Sequence, residues 1–307
     1  MTPGEDAGQV TVVIPSRNRG ALAREAVASV LRQTRPPGEV IVVDDASNPE
    51  EARKLAALQG EGVRVLRSRV RVGGSAARNM GWKAATTALV AFLDDDDVWE
   101  PTKLERQIPL FLDPEVGFSW TSYRVVEGPS RRQRSEVRPQ KAAFKELLAL
   151  SDLSNCTLMV RTACLEAIGG YDESLPRNQD WDLFLRLTSS FKGAFLDELL
   201  TTVLHHLPDP DACIRGREML MEKWAPAISS LTAKERREVE AEHHWLLWGN
   251  YAQKRDIRSE VKHIGQALRR RPLRWRYLRS SAVTVLHLFG WRGRHSRERP
   301  EKERRRR

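Results

Sequence analysis

Residues 89–97 read Leu-Val-Ala-Phe-Leu-Asp-Asp-Asp-Asp, a short continuous apolar run stopped by four aspartates. Its length and abrupt end mark a fully buried β-strand. Upstream the same kind of run recurs as Val10-Thr-Val-Val-Ile14 before Pro15, as Glu39–Asp44 (EVIVVD) and as Val63–Leu66. Helical stretches separate these strands. Residues 20–33 place Leu22, Ala26, Val30 and Gln33 on one stripe, Asn48-Pro49 opens a second helix, and Gly73-Gly74-Ser75 reads as the turn and N-cap of a third reaching Ala85. Near-continuous apolar strands alternating with helices predict an α/β fold, a Rossmann-like, mostly parallel sheet flanked by helices. Ligands on such sheets sit beyond the carboxyl ends of the strands. Those ends carry Pro15–Arg19, Asp44-Asp45 and Asp94–Asp97, three polar clusters converging on one edge.

Four adjacent carboxylates repel one another, at about 1 kcal/mol per pair at 4 Å in water and more in a partly dry cleft. An oxygen-preferring divalent cation, Mn2+ or Mg2+, relieves that repulsion. The plainer alternative is a solvated acidic turn capping a helix that starts near Pro101. A G-x-x-x-x-G-K-[ST] phosphate loop is absent from the sequence.

Six motifs follow one another in order: Pro15-Ser-Arg-Asn-Arg19, Val43-Asp-Asp-Ala-Ser47, Gly74-Ser-Ala-Ala-Arg-Asn79, Phe92-Leu-Asp-Asp-Asp-Asp97, Gly169-Gly-Tyr-Asp-Glu173 and Asn178-Gln-Asp-Trp-Asp-Leu-Phe-Leu-Arg186. Together they resemble the inverting glycosyltransferases of family 2, which have the GT-A fold. The resemblance covers residues 9–206, and implies a nucleotide-sugar-binding half over 9–100 and an acceptor half over 101–206. It implies that Pro15, Ser16, Arg17 and Asp44 hold the nucleotide base, with Asp45 beside them. Locally, Asp44-Asp45 also reads as an Asx-turn ahead of the Asn48-Pro49 helix. Arg78 either sits beside the diphosphate, buttresses the aspartates, or pairs on the helix surface with Asp44 or Asp45.

The resemblance further implies a DxD element in Asp94-Asp95-Asp96. Asp94 would face the ribose and Asp96 would ligate the metal, with Asp94 and a late histidine, His206, as further ligands. The four-aspartate run also permits a register shift of one residue, and His206 reads equally as a surface turn histidine. Inverting transfer needs a base on the acceptor hydroxyl; the family position falls on Asp180, with Asp182 as fallback. Gln179 stands where the family commonly has Glu, which removes one charge that would raise the pKa of the base. Asp180 as a plain N-terminal helix charge is the alternative. The expected activity is metal-dependent transfer of a sugar from a nucleotide-diphosphate donor, UDP- or dTDP-linked, to a hydroxyl of a glycan or lipid-linked acceptor. The competitors are an inactive nucleotide-sugar-binding adaptor and a nucleotidyltransferase; the latter usually carries a Gly-rich loop where this chain has Pro-Ser-Arg-Asn-Arg.

Charge is unevenly placed over the 307 residues. Residues 269–307 hold 15 of the 51 basic but 3 of the 41 acidic side chains, leaving 36 against 38 elsewhere. The catalytic region is thus near neutral and the basicity belongs to the tail. Residues 207–270 read as a helical extension and 271–307 as a basic tail. In the tail, arginine interleaved with aromatics is followed by the apolar segment Ser280–Trp291. That combination suits an interfacial helix on anionic lipid; a solvated, partly disordered terminus is the alternative. Nucleic-acid binding would rest on the tail alone and leave the aspartates unexplained. Three scattered cysteines give neither a disulfide framework nor a CxxC site. The N-terminal MTPGEDAGQ lacks signal-peptide character and no run of 18 apolar residues exists. The expected place is therefore the cytoplasm or, should the tail meet anionic lipid, the inner face of the cell membrane.

Overall fold

The computed structural model describes residues 9–128, 130–139, 143–149 and 152–288. The chain begins with β1 (Val10–Ser16), α1 (Gly20–Leu31), β2 (Glu39–Asp45), α2 (Pro49–Ala56), β3 (Arg64–Ser68), α3 (Gly74–Lys83) and β4 (Leu89–Phe92). β1 pairs in parallel with β2 and β4, and β2 in parallel with β3, giving the order β3-β2-β1-β4. Alternate side chains leave a strand on opposite faces, and both faces are buried here. Val12, Ile14, Val40, Val42, Leu89 and Ala91 pack with Ala23, Ala26, Val27 and Val30 of α1. Val13, Ile41, Val43, Val90 and Phe92 pack on the other side with Ala77 and Trp82 of α3. α3 lies so close to β1 that a Cβ on Gly81 would come within 2.3 Å of Val13 Cγ1.

The second half is mixed. β5 (Val98–Trp99), α4 (Lys103–Gln107), β6 (Val116–Glu127), β7 (Arg132–Val137), α5 (Phe144–Ala149), β8 (Met159–Arg161), α6 (Thr162–Ile168), α7 (Gln179–Ser190) and β9 (Lys192–Leu204) follow. The sheet continues β4-β8-β6-β9-β5, with β7 beside β6. β8 is antiparallel to both β4 and β6, whereas β6 and β9 are parallel. The Arg/Ser/Pro-rich stretch from 128 contributes β7, so much of it forms a hairpin with β6.

The extension comprises α8 (Pro210–Lys223), α9 (Ala225–Ser229), α10 (Ala233–Lys254) and α11 (Ile257–Arg270), and the basic tail opens with α12 (Trp275–Leu288). α8 and α9 are divided at Trp224, because Pro226 cannot continue α8. A capping box between Thr232 and Glu235 starts α10. Leu220, Ile228, Leu231 and Val239 join the core of Leu147, Trp181 and Leu183, so α8–α10 share a core with the sheet domain. α10, α11 and α12 build a smaller cluster of Ala241, Ile264, Ala267 and Tyr277. No helix among the described residues is long and apolar enough to cross a membrane. Residues 289–307, the end of the basic tail, lie outside the described residues.

Candidate functional site

The parallel ladders bring the strand ends together: Ser16 lies opposite Asp44, and Asp45 opposite Ser68. The loops after β1 and β2 are tied to each other. Asn18, in the left-handed region at φ 57°, donates its N–H to Ser47 Oγ at 2.8 Å and accepts from Asn48 N at 2.8 Å. Asp44 Oδ1 accepts the Ser47 N–H at 2.8 Å, which is the Asx-turn, and its Oδ2 lies 3.3 Å from Arg67 Nε. Asp44 is thus both a turn residue and half of an ion pair at the sheet edge. Arg67 escaped the sequence reading, and the available signal was its place at the carboxyl end of β3. Asp45 spends both oxygens on the loop before α3, accepting Val72 N at 2.6 Å and Gly73 N at 3.0 Å. Its geometry is that of a loop anchor, fixing the turn before α3 at the sheet edge. Pro15 is half-buried and Arg17 exposed at the cleft rim.

Each aspartate of the run has its own environment. Asp94 is bonded by Arg78, whose buried guanidinium also lies over the Tyr171 ring at 5.6 Å from its centroid. Burial opposes the charge on Arg78, yet Asp94 beside it holds the guanidinium pKa above its ordinary value. Arg78 therefore buttresses the run and pairs with neither Asp44 nor Asp45. Asp95 is buried, accepting Ser16 Oγ at 2.7 Å and Arg19 Nη1 at 3.2 Å. Burial pushes its pKa up to about 6, against the pull of Ser16 and Arg19. Ser16 and Asp95, both expected at the donor, lock the first loop to the fourth strand end. Asp96 Oδ2 receives Arg19 Nη1 at 2.7 Å and lies 2.8 Å from His206 Nε2. Arg19 is a second site residue whose role the sequence reading missed, although it lies within a quoted motif.

Asp97 points inward. It accepts the Leu204 N–H at 2.8 Å on one oxygen and the Cys156 thiol at 2.8 Å on the other, and burial raises its pKa. Since Leu204 closes β9, this bond sets where His205-His206 emerge, and so places His206 against Asp96. The described donor atoms gathered most tightly are those of Asp94, Asp97 and Cys156, all within 4.8 Å of one another. Burial drives the Cys156 thiol far above its ordinary pKa, so it stays protonated toward Asp97, and a thiol poorly suits Mn2+ or Mg2+. The hard donors that could take such an ion are Asp96 with His206 beside it, and Asp94 two residues earlier.

The two later motifs close the cleft. Asn79 donates to Tyr171 O at 2.9 Å and to Glu173 Oε1 at 2.7 Å, and its Oδ1 accepts from Tyr171 N. Gly170 stands at φ 70° where a Cβ would lie 2.5 Å from Trp82 Nε1, so the Gly-Gly-Tyr turn can press onto α3 only with glycine there. Asp180, half-buried at the start of α7, accepts the Trp181 N–H at 2.9 Å. Burial raises its pKa; Arg78 draws it down and Asp94 pushes it up, which puts all three in one electrostatic neighbourhood.

Asp182 is fully buried on the opposite side of α7. It holds Arg186 Nε at 2.8 Å, Lys223 Nζ at 2.9 Å and Trp224 Nε1 at 3.1 Å. Its oxygens are committed to joining α7 to α8, so the geometry withdraws Asp182 as fallback base. Asp182→Ala should lower stability by about 1–3 kcal/mol, because the part-buried Arg186 and Trp224 donors lose their partner while Lys223 can turn to water, a melting-point drop of about 5 °C. Calorimetric unfolding checks it; an unchanged melting point would contradict the structural role.

Residues 11–169, slightly more than half of the chain, match the Glycosyl transferase family 2 model. Among curated relatives, the UDP-Glc:alpha-D-GlcNAc-diphosphoundecaprenol beta-1,3-glucosyltransferase WfgD of Escherichia coli is 31% identical over 157 residues, covering 51% of this chain and 60% of that protein. The putative teichuronic acid biosynthesis glycosyltransferase TuaG of Bacillus subtilis is 34% identical over 119 residues, 38% of this chain and 47% of that protein. Among solved structures, the mannosyltransferase PcManGT from Pyrobaculum calidifontis, in complex with GDP-Man and Mn2+, superposes with a TM-score of 0.56 at 19% identity over 92% of this chain and 88% of its own. The chain thus spans less than two thirds of those two relatives' lengths, and the family match ends before Asp180.

Proposed function

Starting from glycosyl transferase family 2, to which this chain belongs, we propose that it is an inverting, metal-dependent enzyme of cell-surface glycan synthesis. It would move a sugar from a UDP- or dTDP-linked donor to the hydroxyl of a glycan or lipid-linked acceptor. The observation that carries this reading is the aspartate run at the sheet edge: Arg78 bonds Asp94 and acts on the charge of Asp180, and His206 lies 2.8 Å from Asp96 two residues on. The donor's base would lie along Pro15, Arg17 and Asp44, with Arg67 alongside. Asp96 and His206, with Asp94, would hold Mn2+ or Mg2+; when bound, that ion neutralises charge on the departing diphosphate. Asp180 takes the proton of the acceptor hydroxyl as its oxygen forms the new bond to the sugar's anomeric carbon. The bond from that carbon to the diphosphate breaks, and the nucleoside diphosphate leaves with the electron pair. A lipid-linked acceptor would put the reaction at the inner face of the cell membrane.

Titration calorimetry with UDP, in Mn2+ and again in EDTA, tests the donor site. Binding in Mn2+ that weakens at least about tenfold in EDTA, roughly 1.4 kcal/mol, is the expected result. An absence of binding by UDP, dTDP and GDP alike in Mn2+ would overturn the donor reading.

A further inference from the structure

α12 packs inside out. Amphipathic helices normally turn their apolar stripe to the core, but this one buries its polar stripe. Tyr277, Ser280 and Thr284, spaced three and four residues apart, are buried, and His287 follows on the same side. Trp245 Nε1 donates to Ser280 Oγ at 3.0 Å, Trp248 Nε1 to Thr284 Oγ1 at 2.7 Å, and His287 Nδ1 lies 2.9 Å from Glu260 Oε2. The opposite arc carries Trp275, Leu278, Ala282, Val285 and Leu286, all exposed, with Leu273 just before the helix and Leu288 at its end. Trp275 is 75% and Leu273 92% exposed, far beyond what large apolar side chains in a closed core show.

The arginines of this region divide into two sets. Arg270, Arg271 and Arg276 form ion pairs with Glu240, Glu238 and Glu242, an acidic row on α10. That row consumes half of the arginines over 269–279 and ties α12 to the body of the protein. Arg269, Arg274 and Arg279 are exposed instead, and helical spacing puts Arg274 and Arg279 at the borders of the apolar arc. The sequence beyond α12 adds nine basic residues against three acidic ones over 289–307.

We propose that α12 docks the enzyme on an anionic lipid bilayer, with Trp275, Leu278, Val285 and Leu286 entering the interface and Arg269, Arg274 and Arg279 meeting the headgroups. An apolar face rimmed by cations matches the chemistry of such a surface, where burial of the first and attraction of the second add. A nucleic acid would engage the cations and leave the apolar arc in water. The inference does not rest on the transferase reading, and its test reads binding alone.

The full chain is sedimented with vesicles of phosphatidylcholine alone and of phosphatidylcholine with phosphatidylglycerol. The parent and a Leu278→Asp/Leu286→Asp double variant are compared; both sites are exposed, and circular dichroism confirms that the fold is kept. The parent should partition onto the anionic vesicles at least about tenfold more than onto neutral ones, and the double variant should lose about tenfold or more of that binding. Equal binding of parent and double variant would overturn the proposal, leaving only the arginines in contact. No vesicle binding by the parent would also overturn it, and light scattering that shows a parent dimer dissolved by the double variant would then assign the face to a second copy of the chain.

Discussion

Asp180→Asn should reduce kcat by about 10²–10⁴-fold, while affinity for UDP in Mn2+ stays within a few-fold. The substitution keeps the shape of the side chain and its bond from the Trp181 N–H, and removes only the ability to take a proton. Its pH behaviour makes the test specific. Burial raises the Asp180 pKa in the folded protein, so the base is charged only above that raised value. The parent's kcat should therefore climb with pH along a limb displaced above the ordinary carboxylate range, and the variant's residual rate should lack that limb. Stability runs the other way. The folded state holds this proton more tightly than the unfolded one, so the group favours folding less as pH rises between the two pKa values. Asp180→Asn should then leave the neutral-pH melting point unchanged or slightly raised, opposite to the loss expected for Asp182→Ala. A variant turning over within threefold of the parent would remove Asp180 from the role.

The parallel half of the sheet was readable because its strands are buried on both faces and so read as unbroken Val/Ile/Leu, as in Val40–Val43 and Leu89–Leu93. β9 was not, because Lys192–Leu204 mixes charges with apolar residues and pairs with β6 through shifts of register. β5 has two residues and carries no periodicity. The strand ends pointed to the site, since parallel topology itself decides where they converge. What each side chain does there depended on partners far away in the chain. Arg19 meets Asp96 across 77 positions, and Cys156 meets Asp97 across 59. The basic tail shows the same limit. Its amphipathic character is written in the sequence, but the face it buries is chosen by Trp245, Trp248 and Glu260 on α10 and α11.

The four aspartates separate by the measurement that each one moves. Asp96 sits between Arg19 and His206, whose side chains are 47% and 53% exposed. Both can turn to water when the carboxylate is removed, so Asp96→Ala should change stability by no more than about 1 kcal/mol. The same variant should abolish the difference in UDP affinity between Mn2+ and EDTA. Asp97→Ala should do the reverse. It strands the part-buried Leu204 N–H and the buried Cys156 thiol, at about 1–3 kcal/mol for each such group left without a partner. A melting point lower by about 5–10 °C is expected. Asp97→Asn, whose carbonyl can still accept from Leu204, should recover much of that loss. The contrast also decides the register that a run of four identical residues leaves open. If Asp97→Asn removed the metal dependence at an unchanged melting point while Asp96→Ala kept it, the ligand would be the last aspartate, and the contacts of Asp97 with Leu204 and Cys156 would have to break when the donor binds.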